Sequence, residues 1–279
     1  MGQTSVFIDK WALVTGASAG IGVALARKLA ARGSKLILTA RRQDRLEKLA
    51  AEFAAAGTET RIVVADLNDS AAPQQIYDAT EGAGLTVDIL INNAGLGQYG
   101  PFCAGLVDQE LSQVRVNCEA VVRLSRLFVP RMVERRRGWM LVVASTASYQ
   151  PIPYLATYAA SKVFDRFFAQ GLAAEVAGHG VTVTTLCPGP TESEFFKVSR
   201  SRAFNRGRQS AEEVAHLGIR GLERGKLTVI PNFSGRAGAM AARFLPVSFI
   251  VRTIERVVRP KRETESRDQG PGTKAAIGR

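Results

Sequence analysis

The stretch KWALVTGASAGIG, residues 10–22, joins a short apolar run to a turn made of small residues. The run has the length of a buried strand. The residues that follow, VALARKLAARG, show the three-to-four spacing of apolar side chains that is typical of a helix. A strand that enters a small-residue turn and opens a helix is the first part of a β–α–β unit. The stretch therefore predicts an α/β fold built on a parallel sheet.

Short apolar runs alternate with helical patterns along the rest of the chain. They predict five further strands: KLILTA (35–40), TRIVVADL (60–67), VDILINNAG (87–95), WMLVVAST (139–146) and VTVTTLCPG (181–189). Because the runs are apolar on both alternations, the sheet should be covered by helices on both faces. We expect one doubly wound domain over residues 1–259, with a polar, Gly- and Pro-rich tail at 260–279 that is disordered.

Composition restricts the class of protein. Hydrophobic residues make up 46% of the 279 residues, as in a soluble globular protein. The N-terminus lacks the pattern of a signal peptide, and no run of 18 apolar residues predicts a membrane-spanning helix. Cys103, Cys118 and Cys187 have no metal-like spacing, so we interpret them as reduced thiols and expect a cytoplasmic protein.

The net charge of +12 is unevenly distributed. Residues 1–194 contain 19 Lys or Arg and 18 Asp or Glu, whereas residues 195–279 contain 18 and 7. The basic C-terminal segment could attract a phosphorylated ligand, an anionic membrane surface or nucleic acid, or it could be a solvated flank. No nucleic-acid recognition motif accompanies it, so we expect no nucleic-acid partner.

The turn TGASAGIG (15–22) lies where a parallel sheet leaves a crevice and where a helix N-terminus offers unpaired N–H groups to an anion. Its glycines, Gly16, Gly20 and Gly22, are spaced differently from the common G-x-G-x-x-G pattern. A purely structural turn is the alternative. The strand–turn–helix context favours a site for the pyrophosphate of a dinucleotide.

The end of the second predicted strand bears on the choice of dinucleotide. A site for NAD often has an acidic residue there, but this chain has LTARRQDR, with Ala40, Arg41 and Arg42. Arginine pairs well with the extra phosphate of NADP, so the sequence predicts NADP(H) over NAD(H), with Arg41 the stronger candidate. A solvated basic start of a helix is the alternative.

Several separated motifs resemble one family. TGASAGIG, NNAG (92–95), Asn117, Ser145, YAASK (158–162) and PGPTES (188–193) occur in the order and spacing of the short-chain dehydrogenases/reductases, over about residues 10–195. The C-terminal portion is similar to the branch grouped with DltE-like reductases. The resemblance implies a Rossmann-type domain that transfers hydride between a nicotinamide and a carbonyl or secondary alcohol. It also implies a homodimer or homotetramer.

The resemblance also implies the residues of the site. The catalytic group would be Asn117, Ser145, Tyr158 and Lys162. Cofactor contacts would come from Gly16, Ser18, Gly20, Ile21, Gly22, Arg41, Arg42, Asp66, Leu67, Asn92, Ala94, Gly95, Tyr158, Lys162, Pro188, Gly189 and Thr191. Asp66 would contact the adenine ring, Pro188 and Gly189 would border the nicotinamide, and Asn117 would order a water that links Lys162 to solvent.

The chemistry accounts for the residue types in TYAASK (157–162). Hydride transfer to a carbonyl leaves negative charge on oxygen, and a phenol such as Tyr158 can supply the proton. Lys162 lies one helical turn away, where its ammonium group can favour the phenolate and can hold the ribose hydroxyls. Ser145 can donate a hydrogen bond to the developing oxyanion.

Each of these residues has a structural alternative. Tyr158 and Lys162 could be an ordinary surface pair, and Asn117 could satisfy a neighbouring backbone carbonyl. Ser145 competes with Thr146 and Ser148, either of which could cap the end of the strand. His179 and His216 have no partner pattern and are expected on the surface.

Residues 195–259 form the variable segment, and substrate specificity is expected between about residues 190 and 225. Between 195 and 208 stand apolar and basic side chains that could form a mobile lid over a hydrophobic, acidic carbonyl compound, or a helix with a solvated basic face: Phe195, Phe196, Arg200, Arg202, Phe204, Arg206 and Arg208. SAEE (210–213) predicts the capped start of a helix. Residues 237–258, which Pro246 interrupts, could contact a membrane surface or pack against the sheet or a second subunit.

Three functions follow as hypotheses. The first is an NADP(H)-dependent carbonyl reductase or alcohol dehydrogenase, and the second is an idle NADP-binding sensor or scaffold. The third is a nucleic-acid binder that uses the basic C-terminus. The complete group of four catalytic residues favours the enzyme.

Overall fold

The computed structural model describes residues 5–192 and 208–260. Seven parallel strands form one sheet in the order β3-β2-β1-β4-β5-β6-β7. The strands are β1 Trp11–Thr15, β2 Lys35–Ala40, β3 Thr60–Val64, β4 Val87–Asn92, β5 Gly138–Val143, β6 Val181–Leu186 and β7 Thr228–Val229. All six predicted strands are present, and the two-residue β7 is an addition.

Helices connect the strands and cover both faces of the sheet. They are α1 Gly20–Ala30, α2 Gln43–Ala55, α3 Ala72–Asp78, α4 Val107–Val114, α5 Ala120–Glu134, α6 Ala156–Val176, α7 Ala211–Glu223, α8 Phe233–Phe244 and α9 Val247–Val258. One core cluster lies under α1, α2 and α7, and a second lies under α3, α5 and α6. The doubly wound architecture is therefore confirmed.

The order of the strands reverses between β1 and β4, which pair with each other although they are distant in sequence. The chain winds outward in one direction through β2 and β3, and in the other through β5, β6 and β7. Such a reversal leaves a crevice at the carboxyl ends of the central strands, because the connections on its two sides diverge. The turn at residues 15–22 borders this crevice.

Two local predictions have clear outcomes. Ser210 caps α7, because its Oγ accepts a hydrogen bond from the Glu213 N–H at 3.1 Å. The strand at 60–64, in contrast, is not buried on both faces, because β3 is the edge strand and Val64 is 46% exposed.

The stretch 237–258 forms α8 and α9 on either side of Pro246. No residue of α8 is buried, and α9 buries Ile250 and Val258. The alternative in which this stretch packs its apolar side chains against the sheet is therefore wrong for α8. Within the described ranges, no helix has both the length and the apolar character that crossing a bilayer requires.

Candidate active site

A cavity of about 460 Å³ opens at the carboxyl ends of the central strands. Its size lies within the range of small-molecule sites. It extends from the glycine turn past the ends of β2 and β4 to the start of α6, and it brings together almost all of the predicted residues. Of the predicted site residues, those on its wall are Gly16, Ser18, Gly20, Ile21, Gly22, Arg41, Arg42, Asp66, Leu67, Ala94, Gly95, Ser145, Tyr158, Lys162, Pro188, Gly189 and Thr191.

The glycine turn leaves no room for side chains. Gly16 has a φ of +66°, and a Cβ there would lie 2.9 Å from Asn93 Nδ2. A Cβ on Gly22 would lie 2.2 Å from the Gly16 carbonyl oxygen. The first turn of α1 has no side-chain cap, so its backbone N–H groups face the cavity without a competing acceptor from a capping side chain. This cradle fits the pyrophosphate of a dinucleotide.

Asn93 locks the turn to β4. Its Nδ2 donates to the Thr15 carbonyl oxygen at 2.8 Å, and its backbone N–H donates to Thr15 Oγ1 at 2.9 Å. The neighbouring Asn92 does not line the cavity, because its buried side chain donates to Ser125 Oγ at 3.4 Å on the other side of the sheet. Asn92 was predicted to face the cofactor site, but Asn93 lines the cavity instead. Successive side chains of a strand point to opposite faces, so only one of the two can face it.

Two arginines stand where the cavity meets the end of β2. Arg42 donates to Ser18 Oγ through Nε at 3.2 Å and through Nη2 at 3.0 Å, so this guanidinium is held against the glycine turn. Arg41 Nη1 lies 3.8 Å from an Asp66 carboxylate oxygen, and both side chains are exposed. The guanidinium of Arg42 is thus fixed beside the glycine turn, whereas that of Arg41 lies near Asp66.

Tyr158 and Lys162 occupy one face of α6 and line the same part of the cavity. Lys162 is 4% exposed, and its Nζ donates to the Val143 carbonyl oxygen at 2.9 Å. This bond joins α6 to the end of β5, two residues before Ser145. The pair is therefore part of the cavity wall and is not an ordinary surface pair.

Ser145 caps the short 3₁₀ turn that follows β5. Its Oγ accepts a hydrogen bond from the Ala147 N–H at 3.1 Å. Of the three competing hydroxyls, Ser145 and Thr146 line the cavity, whereas Ser148 is buried away from it. Ser145 thus both caps the turn and faces the cavity.

Asn117 lies in a π-helical segment between α4 and α5, an irregularity often found at functional sites. It is fully buried and does not line the cavity. Its Nδ2 donates to the Leu96 carbonyl oxygen at 2.9 Å and to Ser161 Oγ at 2.8 Å. A Cβ on Gly95 would lie 3.5 Å from Asn117 Oδ1 and 3.4 Å from Lys162 Nζ. The side chain therefore satisfies a backbone carbonyl, which is the structural alternative, and it lies beside Gly95 on the cavity wall.

Sequence reasoning missed Asp165. Its carboxylate accepts a hydrogen bond from Lys162 Nζ at 2.9 Å, with both side chains buried and the second carboxylate oxygen left without a partner. Burial acts to lower the pKa of Lys162, but the charge of Asp165 opposes it, and the net effect is a raised pKa. The three-residue spacing was a visible signal, although the burial of the pair was not.

The end of the cavity near Tyr158 was also missed. Its wall is mainly apolar and is formed by Leu96, Ala147, Gln150, Ile152 and Leu155. Ile254 and Val258 of α9 pack on the outer side of this group. The predicted lid residues from Phe195 to Arg206 lie outside the described residues. Thr191 and Gln209, which flank that stretch, form an isolated parallel bridge beside the cavity.

The remaining candidates give a simple picture. His179 and His216 are exposed. Cys103, Cys118 and Cys187 are free, and burial raises the pKa of both Cys118 and Cys187 to about 11. Within residues 5–192 and 208–260, no group of His, Cys, Asp or Glu side chains could hold a metal ion.

Sequence comparisons identify relatives of the chain. Very-long-chain 3-oxoacyl-CoA reductase of Anas platyrhynchos is 33% identical over 223 residues, which cover 77% of this chain and 70% of that protein. The Bos taurus protein of the same name is 33% identical over 70% of this chain and 63% of its own length.

Solved structures share the fold. A short-chain dehydrogenase from Sphingobium yanoikuyae in complex with NADPH has a TM-score of 0.77 at 29% identity and covers 84% of this chain and 93% of that one. A short-chain dehydrogenase/reductase from Burkholderia phymatum in complex with NAD has a TM-score of 0.76 at 25% identity and covers 84% and 92%.

The model of the short chain dehydrogenase family matches residues 10–203. These residues include the glycine turn, the four candidate catalytic residues and most of the cavity wall. The chain belongs to the short-chain dehydrogenases, oxidoreductases that transfer hydride between a nicotinamide cofactor and a carbonyl or secondary alcohol.

Proposed function

We propose that the protein is an NADP(H)-dependent reductase of a hydrophobic carbonyl compound. One observation carries the proposal: a single cavity joins the glycine turn and Arg42 at one end to Tyr158, Lys162 and Ser145 at the other. When it is bound, the nicotinamide supplies the hydride. The residues of the chain would bind and orient both reactants and would move the proton.

The roles of the side chains follow from their positions. Tyr158 donates a proton to the substrate oxygen as negative charge develops there. Ser145 Oγ accepts the Ala147 N–H at 3.1 Å and donates only at 3.5 Å to the Pro188 carbonyl oxygen, so its hydroxyl hydrogen can turn to stabilise the substrate oxygen. Lys162 keeps a positive charge one helical turn from the phenol, and Asn117 positions the backbone at Leu96 behind it.

Replacing Tyr158 tests the catalytic role. In Tyr158→Phe, turnover of a ketone substrate should fall by about 10²- to 10⁴-fold, because the variant lacks the phenol that donates the proton. NADPH binding, measured by the fluorescence of the cofactor, should persist. Tyr77→Phe, which is remote from the cavity, is the control and should retain activity. Unchanged turnover in Tyr158→Phe would refute the acid role.

The preference for NADP(H) rests on Arg41 and Arg42 at the end of β2. Titration of the wild type should give tighter binding of NADPH than of NADH. The substitution Arg42→Ala should weaken NADPH binding by about tenfold or more and leave NADH binding nearly unchanged, because a charged hydrogen bond contributes roughly 1.5–3 kcal/mol. Lys48→Ala, an exposed cation on α2, is the control. Equal affinity of the wild type for both cofactors would contradict the preference.

The substrate should be hydrophobic because the wall around Tyr158 is mainly apolar. The relatives are named for the reduction of very-long-chain 3-oxoacyl-CoA. A long-chain 3-oxoacyl thioester is therefore the first compound to test in an NADPH-oxidation screen. Short ketones, quinones and steroids complete the screen.

The same screen distinguishes the alternative functions. Tight NADPH binding without turnover of any compound class would favour an idle NADP-binding sensor or scaffold. The presence of Tyr158 together with Lys162, Ser145 and Asn117 favours the enzyme, because a sensor would not need a proton donor and the groups around it. Salt-sensitive binding to DNA or RNA would instead favour the nucleic-acid hypothesis, for which the site offers no support.

We also propose that the protein is cytoplasmic and forms a homodimer or homotetramer. Exposed apolar side chains on α4, α5 and α6 support an oligomer: Leu111, Val114, Val122, Phe164 and Phe167. In addition, we propose peripheral contact with a membrane through residues 237–258, because six large apolar side chains of this stretch are exposed: Met240, Phe244, Leu245, Val247, Phe249 and Val257.

A further inference from the structure

The helix α8 presents its large apolar side chains to solvent. Phe233, Met240 and Phe244 are 84%, 61% and 75% exposed. Together with Ala237 they are spaced i, i+4, i+7 and i+11, which places them on one side of the helix, here called the apolar stripe. The opposite side, with Gly235, is partly buried against Thr146.

A second cavity, of about 570 Å³, lies beside this stripe. Its wall contains four cations, Arg166, Lys226, Arg236 and Arg243, and no carboxylate of the described residues. We call this group the basic pocket. Arg236 and Arg243 belong to α8 itself, and their spacing of seven places both on the same flank of the stripe.

Arg166 is held in place before any ligand arrives. Its guanidinium lies over the ring of Tyr149 at 4.3 Å and near that of Phe167 at 4.5 Å, and Nη2 donates to the Ser148 carbonyl oxygen at 3.0 Å. Its Nε is buried without a hydrogen-bond partner. An anionic oxygen in the basic pocket would meet a fixed guanidinium, which suits phosphate recognition.

From this arrangement we propose that the basic pocket binds the phosphate headgroup of an anionic phospholipid while the apolar stripe enters the same bilayer surface. The inference rests on the proposed peripheral contact and adds its lipid class and its headgroup site. An apolar stripe flanked by cations has the chemistry of an interfacial helix. Each basic residue near an anionic bilayer contributes about 1 kcal/mol.

A second copy of the chain fits this surface less well. A two-fold interface brings the same patch of both subunits together. A two-fold axis close to the basic pocket would bring its four cations near four others. The described wall of the pocket has no carboxylate to compensate them, which disfavours the contact.

Vesicle flotation tests the proposal. The full chain should float with phosphatidylcholine vesicles that contain phosphatidylglycerol, bind much less to phosphatidylcholine alone, and be released by high salt. Arg243→Ala should weaken binding about fivefold, and Arg236→Ala with Arg243→Ala about 25-fold. Arg252→Ala is the matched control, because this exposed arginine lies in the same stretch outside the pocket. Thermal unfolding confirms that each variant is folded.

The outcomes distinguish the proposed membrane contact from the proposed headgroup site. No binding of the wild type to any vesicle, or unchanged binding in Phe244→Ser, would overturn the peripheral contact and the headgroup site with it. Equal losses in Arg243→Ala and Arg252→Ala would overturn the headgroup site but leave the contact standing. Binding of glycerol phosphate alone, as strong as that of vesicles, would show a site for a soluble anion and would also overturn the lipid assignment.

Discussion

Lys162 and Asp165 form a buried ion pair directly behind the proposed proton donor. A lysine that acts on Tyr158 alone would favour the phenolate with its full charge. The carboxylate opposes that effect, and it also keeps Lys162 charged in a site with little access to water. At the scale of single residues, Asp165 therefore positions and tunes Lys162.

Replacing Asp165 by Asn should shift the pH profile of alcohol oxidation. Without the anion, Lys162 loses its proton at lower pH, because Asp165 is what raises its pKa against the effect of burial. The alkaline limb of kcat/KM should therefore move to lower pH, by roughly one unit, which corresponds to about 1.4 kcal/mol. Cys118, whose pKa burial raises to about 11, stays protonated across this range.

The conservative variant Asp165→Glu is the control for this effect. It keeps the negative charge, so its profile should remain close to that of the wild type. A profile unchanged in Asp165→Asn, with only a lower melting temperature, would show that the carboxylate has a structural role alone.

At the scale of elements, the turn between β1 and α1 depends on close approach of the backbone. In Gly22→Ala the new methyl group would lie 2.2 Å from the Gly16 carbonyl oxygen and 2.7 Å from Asn93 Nδ2. Moving the backbone oxygen of Gly16 costs more free energy than rotating a side chain, so the whole turn should be distorted. We expect at least a tenfold weaker affinity for NADPH, measured by titration, and a lower melting temperature.

Gly238→Ala on α8 is the matched control for that substitution. A Cβ there meets nothing within 4 Å, and helical alanine is favoured over glycine by about 1 kcal/mol. The variant should be as stable as the wild type or more stable. Loss of NADPH binding in both variants would contradict the argument from close approach.

At the scale of the whole molecule, two groups of helices carry several exposed apolar side chains each: α4, α5 and α6, and α8 with α9. The apolar side chains on α4, α5 and α6 are expected to be buried in the interface of an oligomer. Light scattering should give a multiple of 30.0 kDa for the wild type. Leu111→Asp should lower the mass toward one subunit, because a charge would be buried without a partner. Val6→Asp, an exposed site beside Phe7 on the face of the sheet that α1, α2 and α7 cover, should not. A wild-type mass of one subunit would refute the oligomer.

Much of the fold and of the site could be predicted from local sequence patterns. Where the prediction failed, the reason is physical. The capping serine and the six strands follow from periodicity and turn chemistry. The two-residue β7 is too short to have a period. Asn92 and Asn93 are adjacent and chemically identical, so only the twist and register of β4 decide which one faces the cavity.

The sequence by itself determined the parallel fold and the place of the glycine turn, because these depend on residue type and short spacing. The group of Asn117, Ser145, Tyr158 and Lys162 is what its resemblance to the family implies. Tertiary structure alone decided that Asp165 is buried against Lys162 and that the apolar stripe of α8 faces solvent. Spacing assigns side chains to the sides of a helix, but it does not say which side the neighbouring elements cover. On α8 they partly cover Gly235, Ala239 and Ala242, and the phenylalanines remain exposed.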